Sequence, residues 1–192
     1  MRLSLLVVLS ILACGAAFPQ TRPFTTGTPE ELERAGSLGL AHLTAWARQR
    51  AITDELRVTR VNVDAVSMAH VRVQQFHRNI PVLGGEAIAH LKATGEPFGQ
   101  TDDLLPNVKV DTAPRLTADA AVGRARAEVG CRDCSLRSAD LWIVRTEGTD
   151  HLAYRVELRE SAAGPPLSIP IVFVDAHSGN LILRYDNLQT GK

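Results

Sequence analysis

Twice along this chain a stretch of helical spacing gives way to runs that alternate apolar and polar residues. That order constrains the fold more than any single motif. The stretch "TPEELERAGSLGLAHLTAWARQRA" opens with Thr28 as an N-cap, Pro29 at the first helical position and Glu31 three residues after the cap. Leu32, Ala35, Leu43, Trp46 and Ala47 follow at helical spacing, which predicts one amphipathic helix to about Arg50, weakened by Gly36 and Gly39. From Glu55 the period changes to two. "LRVTRVNV" carries Leu56 and Val58, then a shifted Val61 and Val63. "HVRVQQF" sets Val71 and Val73 against His70, Arg72 and Gln74, and "IPVLGGEAIAHL" follows a turn at Arg78 and Asn79. Paired glycines weaken a flat strand, so Gly84 and Gly85 mark a bulge or a sharp bend. "KATGEPFG" and "TDDLLPN" read as loops.

The second cycle starts at "DTAPRLTADAAVGRARAEVG". A Pro-containing linker leads to Thr117, a helix with Ala120, Ala121, Ala125 and Val129 on one side, and Gly130 after its end. The runs "SADLWIVRT", "LAYRVELRE", "SIPIVFVDA" and "NLILRYDN" then read as strands. Nothing alternates strand with helix, so the prediction is an α+β protein of two consecutive modules, each a helix packed on a curved antiparallel meander. The expected divisions are a leader over residues 1–17, a linker over 18–27, modules over 28–112 and 113–186, and a tail over 187–192.

"MRLSLLVVLSILACGAAFPQ" combines Arg2, an apolar run from Leu3 to Ala13 and small residues, the pattern of an export signal cleaved near Ala17. The same stretch also fits a bacterial lipoprotein box, in which Cys14 would be lipidated and become the first mature residue. Either way the expected location is outside the cytoplasm. The 21 basic residues equal the 21 acidic ones, so no net field favours nucleic acid or an anionic membrane. Beyond the leader two cysteines remain, Cys131 and Cys134, spaced for a local disulfide in an exported chain.

Asp175, His177 and Ser178 hold the residue types of a hydrolytic triad within four positions. Neighbours in sequence point apart, however, and Asp175 with Gly179 between two apolar runs is what a hairpin turn requires. No GxSxG elbow, HExxH helix or Gly-rich phosphate loop occurs. Of the six histidines, His70 and His90 could converge across adjacent strands; the spacing otherwise supplies no zinc pair. No catalytic or metal-ligating residue is predicted.

The block "HVRVQQFHRNIPVLGGEAIAHL" resembles the fungalysin/thermolysin propeptide domain. The matching positions are His70, Arg72, Gln74, Gln75, Phe76, Pro81, Val82, Gly84, Gly85 and Glu86. The second half is similar to the PepSY-type segment that follows in the same prosegments, through Ala153, Val156, Val174, Asp175, Ala176 and Gly179. This resemblance implies the prosegment of a secreted thermolysin-like zinc metalloprotease, which assists folding of the protease and blocks its cleft until processed. Zinc and catalysis would belong to the partner protease, and the chain itself would need no cofactor.

The catalytic domain of such a protease should follow shortly after "LQT", yet the chain stops at Lys192. The expectation is a prodomain acting in trans or a truncated zymogen fragment. The polar tail Asn187, Leu188, Gln189, Thr190, Gly191 and Lys192 is the expected cleft-proximal segment. His70, Arg72 and Gln74 are expected to serve as framework in preference to protease contact, together with the other motif residues. The alternative is a cell-envelope binding module, lipid-anchored through Cys14, that reuses the fold for an unrelated partner.

Overall fold

The computed structural model describes residues 23–25, 27–131, 133–159 and 168–187. The leader and Cys14 lie outside these residues. The first module opens with α1 (Pro29–Gln49) and continues through β1 (Glu55–Val63), β2 (Ala69–His77), β3 (Ile80–Leu91) and β4 (Pro97–Asp102). The second runs α2 (Ala118–Val129), β5 (Ser135–Thr146), β6 (Thr149–Arg159), β7 (Pro170–Asp175) and β8 (Leu181–Asp186). The architecture is α+β, two helix-plus-meander modules, as the change of period predicts.

Local chemistry sets the helix ends. The Thr28 hydroxyl accepts the Glu31 N–H at 3.3 Å, and the Glu31 carboxylate accepts the Thr28 and Gly27 N–H groups at 3.2 and 2.9 Å. That reciprocal arrangement satisfies donors that no helical carbonyl can reach. At the second helix the Thr117 hydroxyl accepts the Ala120 N–H, and Gly130 ends it in the left-handed conformation at φ 69°.

Strand pairing joins both meanders into one sheet of order β1-β2-β3-β5-β6-β7-β8, with β4 also paired to β3. Two strands share one edge of β3 because that strand is divided. Ala87 to Leu91 pair antiparallel with β4, while Val82 meets Ile143 of β5 in parallel. Between these segments lie Gly84, at φ 76°, and Gly85, and the β2–β3 register shifts between Gln74 and Phe76. The glycine pair is the bend. A second register shift, between Val58 and Arg60 of β1, explains the displaced Val61 and Val63.

β4 corrects the sequence reading, which left residues 97–99 and 101–102 in loops. Pro97 and Gly99 disguise it, but proline is tolerated at the first residue of a strand on a sheet edge, where its missing N–H is not needed. Only Lys92 to Glu96 form the turn, with the Lys92 N–H donating to the Glu96 carbonyl.

Each helix covers one face of its meander. Against α1 lie Val71, Val73, Ala89 and Leu91, closed off by Phe24, Ile52, Leu56 and Leu104. Against α2 lie Leu152, Val156, Leu158, Val172 and Val174. The buried stripe of α2 is Ala121, Val122 and Ala125, with Val129 half-buried; Ala120 is exposed, one position off the predicted face. α1 buries Ala35, Gly36, Gly39, Leu43 and Ala47. A Cβ on Gly39 would lie 2.5 Å from Val71 Cβ, so the residue that lowers helix propensity is the one that lets helix and strand approach.

Gly39 and Gly123 should therefore respond oppositely to alanine. Gly123 of α2 is exposed and has no neighbour within 4 Å of a built Cβ. Gly123→Ala should stabilise by about 1 kcal/mol through helix propensity. Gly39→Ala should destabilise by about 1–3 kcal/mol through overpacking against a strand. Urea denaturation midpoints of the two variants will show whether their signs differ.

Candidate functional site

The residues of the first motif block build the bend. At the register shift Gln74 and Gln75 are both buried, although alternation would send one of them outward. The Gln74 amide donates to the carbonyls of Val82, Gly85 and Gln75 at 2.7, 2.9 and 3.1 Å, capping groups that the broken ladder leaves unpaired. Gln75 is fully enclosed. Its amide donates to Asp54 Oδ2 at 2.6 Å and to the Leu105 carbonyl at 2.8 Å, and its oxygen accepts the Leu105 N–H at 2.8 Å. Asp54 Oδ1 in turn sits 2.9 Å from His77 Nδ1. A Cβ on Gly85 would lie 2.9 Å from the Gln75 oxygen, so glycine is required there for space. Pro81 stands opposite Phe76, next to Val82, where β3 turns toward β5.

On the sheet face away from α1, β2 and β3 present a polar surface. Arg72 pairs with Glu86 across the strands, both side chains 44% exposed, which limits the pair to a minor share of stability. His70 stands directly opposite His90, with facing Nδ1 atoms 2.8 Å apart. Neither Asp54 nor Leu105 is predicted from the sequence as part of this region. Only the apolar context of "TDDLLPN" could have hinted that Leu104 is core and brings Leu105 along.

In the second module Asp175, His177 and Ser178 form a turn. Asp175 Oδ1 accepts the N–H groups of His177 and Ser178 at 2.9 and 2.7 Å, and Gly179 follows at φ 75°. The His177 ring donates from Nε2 to the Ala113 carbonyl at 3.0 Å, and the Ser178 hydroxyl accepts the Asn180 N–H. Serine and imidazole are engaged elsewhere, so no nucleophile is activated. Burial by itself would raise the Asp175 pKa, but the Ser178 and His177 N–H groups and His151 hold it below the ordinary value.

Among the described residues the second module ends on an open edge, where β8 pairs with β7 alone and carries exposed Leu181, Leu183 and Tyr185. Asn187, the first residue of the predicted tail, donates its N–H to the Ile169 carbonyl at 2.9 Å, and the Asp186 carboxylate accepts the Ile169 N–H. Leu188, Gln189, Thr190, Gly191 and Lys192 lie outside the described residues. Cys131 and Cys134 are joined in a disulfide between the end of α2 and the start of β5. Among the described residues no group of three or more His, Cys, Asp or Glu side chains converges as a metal site. Nor, among them, is any helix long and apolar enough to cross a membrane.

Residues 54–99 match the family model of the Fungalysin/Thermolysin Propeptide Motif. It is the propeptide of thermolysin-like proteases that this chain resembles. The match starts at Asp54, which holds Gln75, and spans the whole bend. The chain is also 33% identical over 137 residues to Bacillolysin of Brevibacillus brevis. That alignment takes in 64% of this chain and 26% of the relative, so this chain spans about a quarter of the relative's length. Among solved structures, the Bacillus megaterium YpeB C-terminal domain aligns over 88% of this chain and 69% of its own, with 10% identity and a TM-score of 0.46. At that score it carries no argument about function.

Two outcomes test the two networks. Gln75→Leu keeps the bulk but leaves Asp54 Oδ2 without its Gln75 donor and both Leu105 backbone groups without their Gln75 partner, and should destabilise the fold by about 2–4 kcal/mol in chemical denaturation. For Asp175 the folded pKa lies below the ordinary 3.8. Its share of stability is therefore present above that value and lost as pH falls through the folded one. The stability lost between about pH 7 and about pH 3, measured by chemical denaturation followed by far-UV circular dichroism, should be larger in wild type than in Asp175→Ala.

Proposed function

We propose that this chain is the prosegment of a secreted thermolysin-like zinc metalloprotease, and that it acts without catalysis as folding chaperone and inhibitor, in trans or as a zymogen fragment. The observation that carries this reading is the coincidence of the propeptide motif over residues 54–99 with the network that bends β3 and joins the modules. A sheet surface formed in advance suits the task. A large protease must close long-range contacts before they are rewarded, and a docked template lowers that barrier.

Inhibition requires only that an extended segment occupy the substrate groove in a register that is not cleaved. β8 ends at Asp186 on an edge that is open among the described residues, and residues 187–192 follow it in sequence. These residues are the proposed cleft-proximal segment. Zinc and the bond-breaking groups belong to the partner, and export places both proteins in the same compartment.

The test is a refolding and inhibition assay of the purified chain with thermolysin-like enzymes from the same source. The chain should raise the yield of refolded protease and inhibit the folded enzyme. Deleting residues 187–192 should weaken inhibition at least tenfold while leaving the refolding effect. Unchanged potency would remove the tail from the mechanism, and a chain without effect in either assay would overturn the reading.

A further inference from the structure

The polar face of the first module carries a linked pair of imidazoles that the proposed function does not use. His70 and His90 face each other through Nδ1 atoms 2.8 Å apart, their rings edge-on at 76°. Both far nitrogens have partners. His70 Nε2 lies 3.0 Å from Asp64 Oδ2, and His90 Nε2 lies 3.5 Å from the Thr101 hydroxyl. The Asp64 carboxylate is fixed by the N–H groups of Met68 and Val66 at 2.9 and 3.0 Å. His70 first, then the Met68 N–H, hold its pKa below the ordinary value, so at neutral pH Asp64 is an anion and can only accept.

These constraints leave one arrangement of hydrogens for the neutral pair. His70 must carry its proton on Nε2, toward Asp64, so its Nδ1 presents a lone pair. His90 must then donate from Nδ1, which leaves its Nε2 to accept the Thr101 hydroxyl. One added proton keeps the bridge, because whichever ring is charged donates from its Nδ1 to the lone pair of the neutral one. A second places hydrogens on both Nδ1 atoms, and two N–H groups cannot face each other at 2.8 Å.

The surroundings decide what that separation does. On β1, Asn62 stands opposite His70, and Arg60 opposite Arg72. On β2 and β3, Arg72 pairs with Glu86, and Ile88 stands opposite Arg72; on β4, Gly99 stands opposite His90 and Thr101 opposite Ile88. Asp64 and Glu86 thus balance Arg60 and Arg72 while the imidazoles are neutral. With both rings charged the cations outnumber the anions by two.

We propose that the His70–His90 pair is an acid-sensitive latch on this face, bridged while at most one ring is protonated and separated, leaving the face basic, when both are. A partner resting on the face would meet a balanced surface while both rings are neutral and a cationic one once both are charged. Burial first, and then the charge of His70, lower the His90 pKa, which places the change below the ordinary 6.5. Because this pKa is depressed in the fold, the stability tied to neutral His90 is complete above 6.5 and declines as pH falls.

Long-range proton–nitrogen NMR of the histidine rings in the full chain, from pH 8 to pH 5, tests the latch. At pH 8 His90 should hold its proton on Nδ1 and His70 on Nε2. The His90 midpoint should lie below 6.5 and should rise in His70→Gln. A His90 ring protonated on Nε2 at pH 8 would overturn the proposal, and so would a His90 midpoint that His70→Gln leaves unmoved. If that variant fails to fold, the tautomer in the wild-type chain still decides.

Discussion

The structure depends on a strand that cannot stay straight. β3 serves two meanders, and it does so because Gly84 and Gly85 break its ladder at the point where Gln74 and Gln75 can satisfy what the break exposes. A bulge leaves backbone carbonyls and N–H groups unpaired, and burying them without partners costs about 1–3 kcal/mol each. Two adjacent glutamine amides, both turned inward, supply those partners. One caps the carbonyls of the bend, and the other ties the bend to Asp54 and Leu105 in the flanking loops. Remove this exchange and the outer edge of β3 could not be divided between β4 and β5.

The bend also explains how two small modules become one sheet. Their helices lie over separate cores, α1 on Val71 and Val73, α2 on Val156 and Val172. The strand pairing that links the meanders is the parallel contact of Val82 with Ile143. Val82, Ile143 and Val108 form a small apolar cluster at that junction, with Ile80 and Val110 packed against it. Arg145 adds a hydrogen bond to the Pro106 carbonyl and Asp150 accepts the Lys109 N–H, so the bend and the segment after β4 together set how one module sits beside the other. For a protein read as a template for another chain, that relative placement matters more than any single exposed side chain.

Two surfaces remain beyond the cores. The first-module face is polar and balanced in charge, with His70, Arg72, Glu86 and His90 linked in pairs across β2 and β3. The β8 edge is apolar by contrast, with Leu183 and Tyr185 beside the start of the tail. An open edge bearing apolar side chains is a liability in a solitary protein and an asset in one that must receive a strand. The two surfaces therefore suit different tasks, one responsive to charge and the other suited to pairing.

Elements whose causes are local can be read from the order of residues. Thr28 with Glu31, and Thr117 with Gly130, bound the helices because capping is settled within four residues. Alternation of Val71 and Val73 fixed which face of β2 turns inward, and Asp175 with Gly179 fixed the last hairpin. Only the tertiary structure decided the rest. Pro97 to Asp102 becomes a strand because β3 offers an edge, which no local period records. Gln75 finds Asp54 and Leu105 across 21 and 30 residues of chain, and His70 finds His90 only because the β2–β3 register places them opposite. Hydrogen bonds of that kind depend on where distant backbone arrives, and the arrival is set by the packing of α1, through Gly39, onto the strand that carries them.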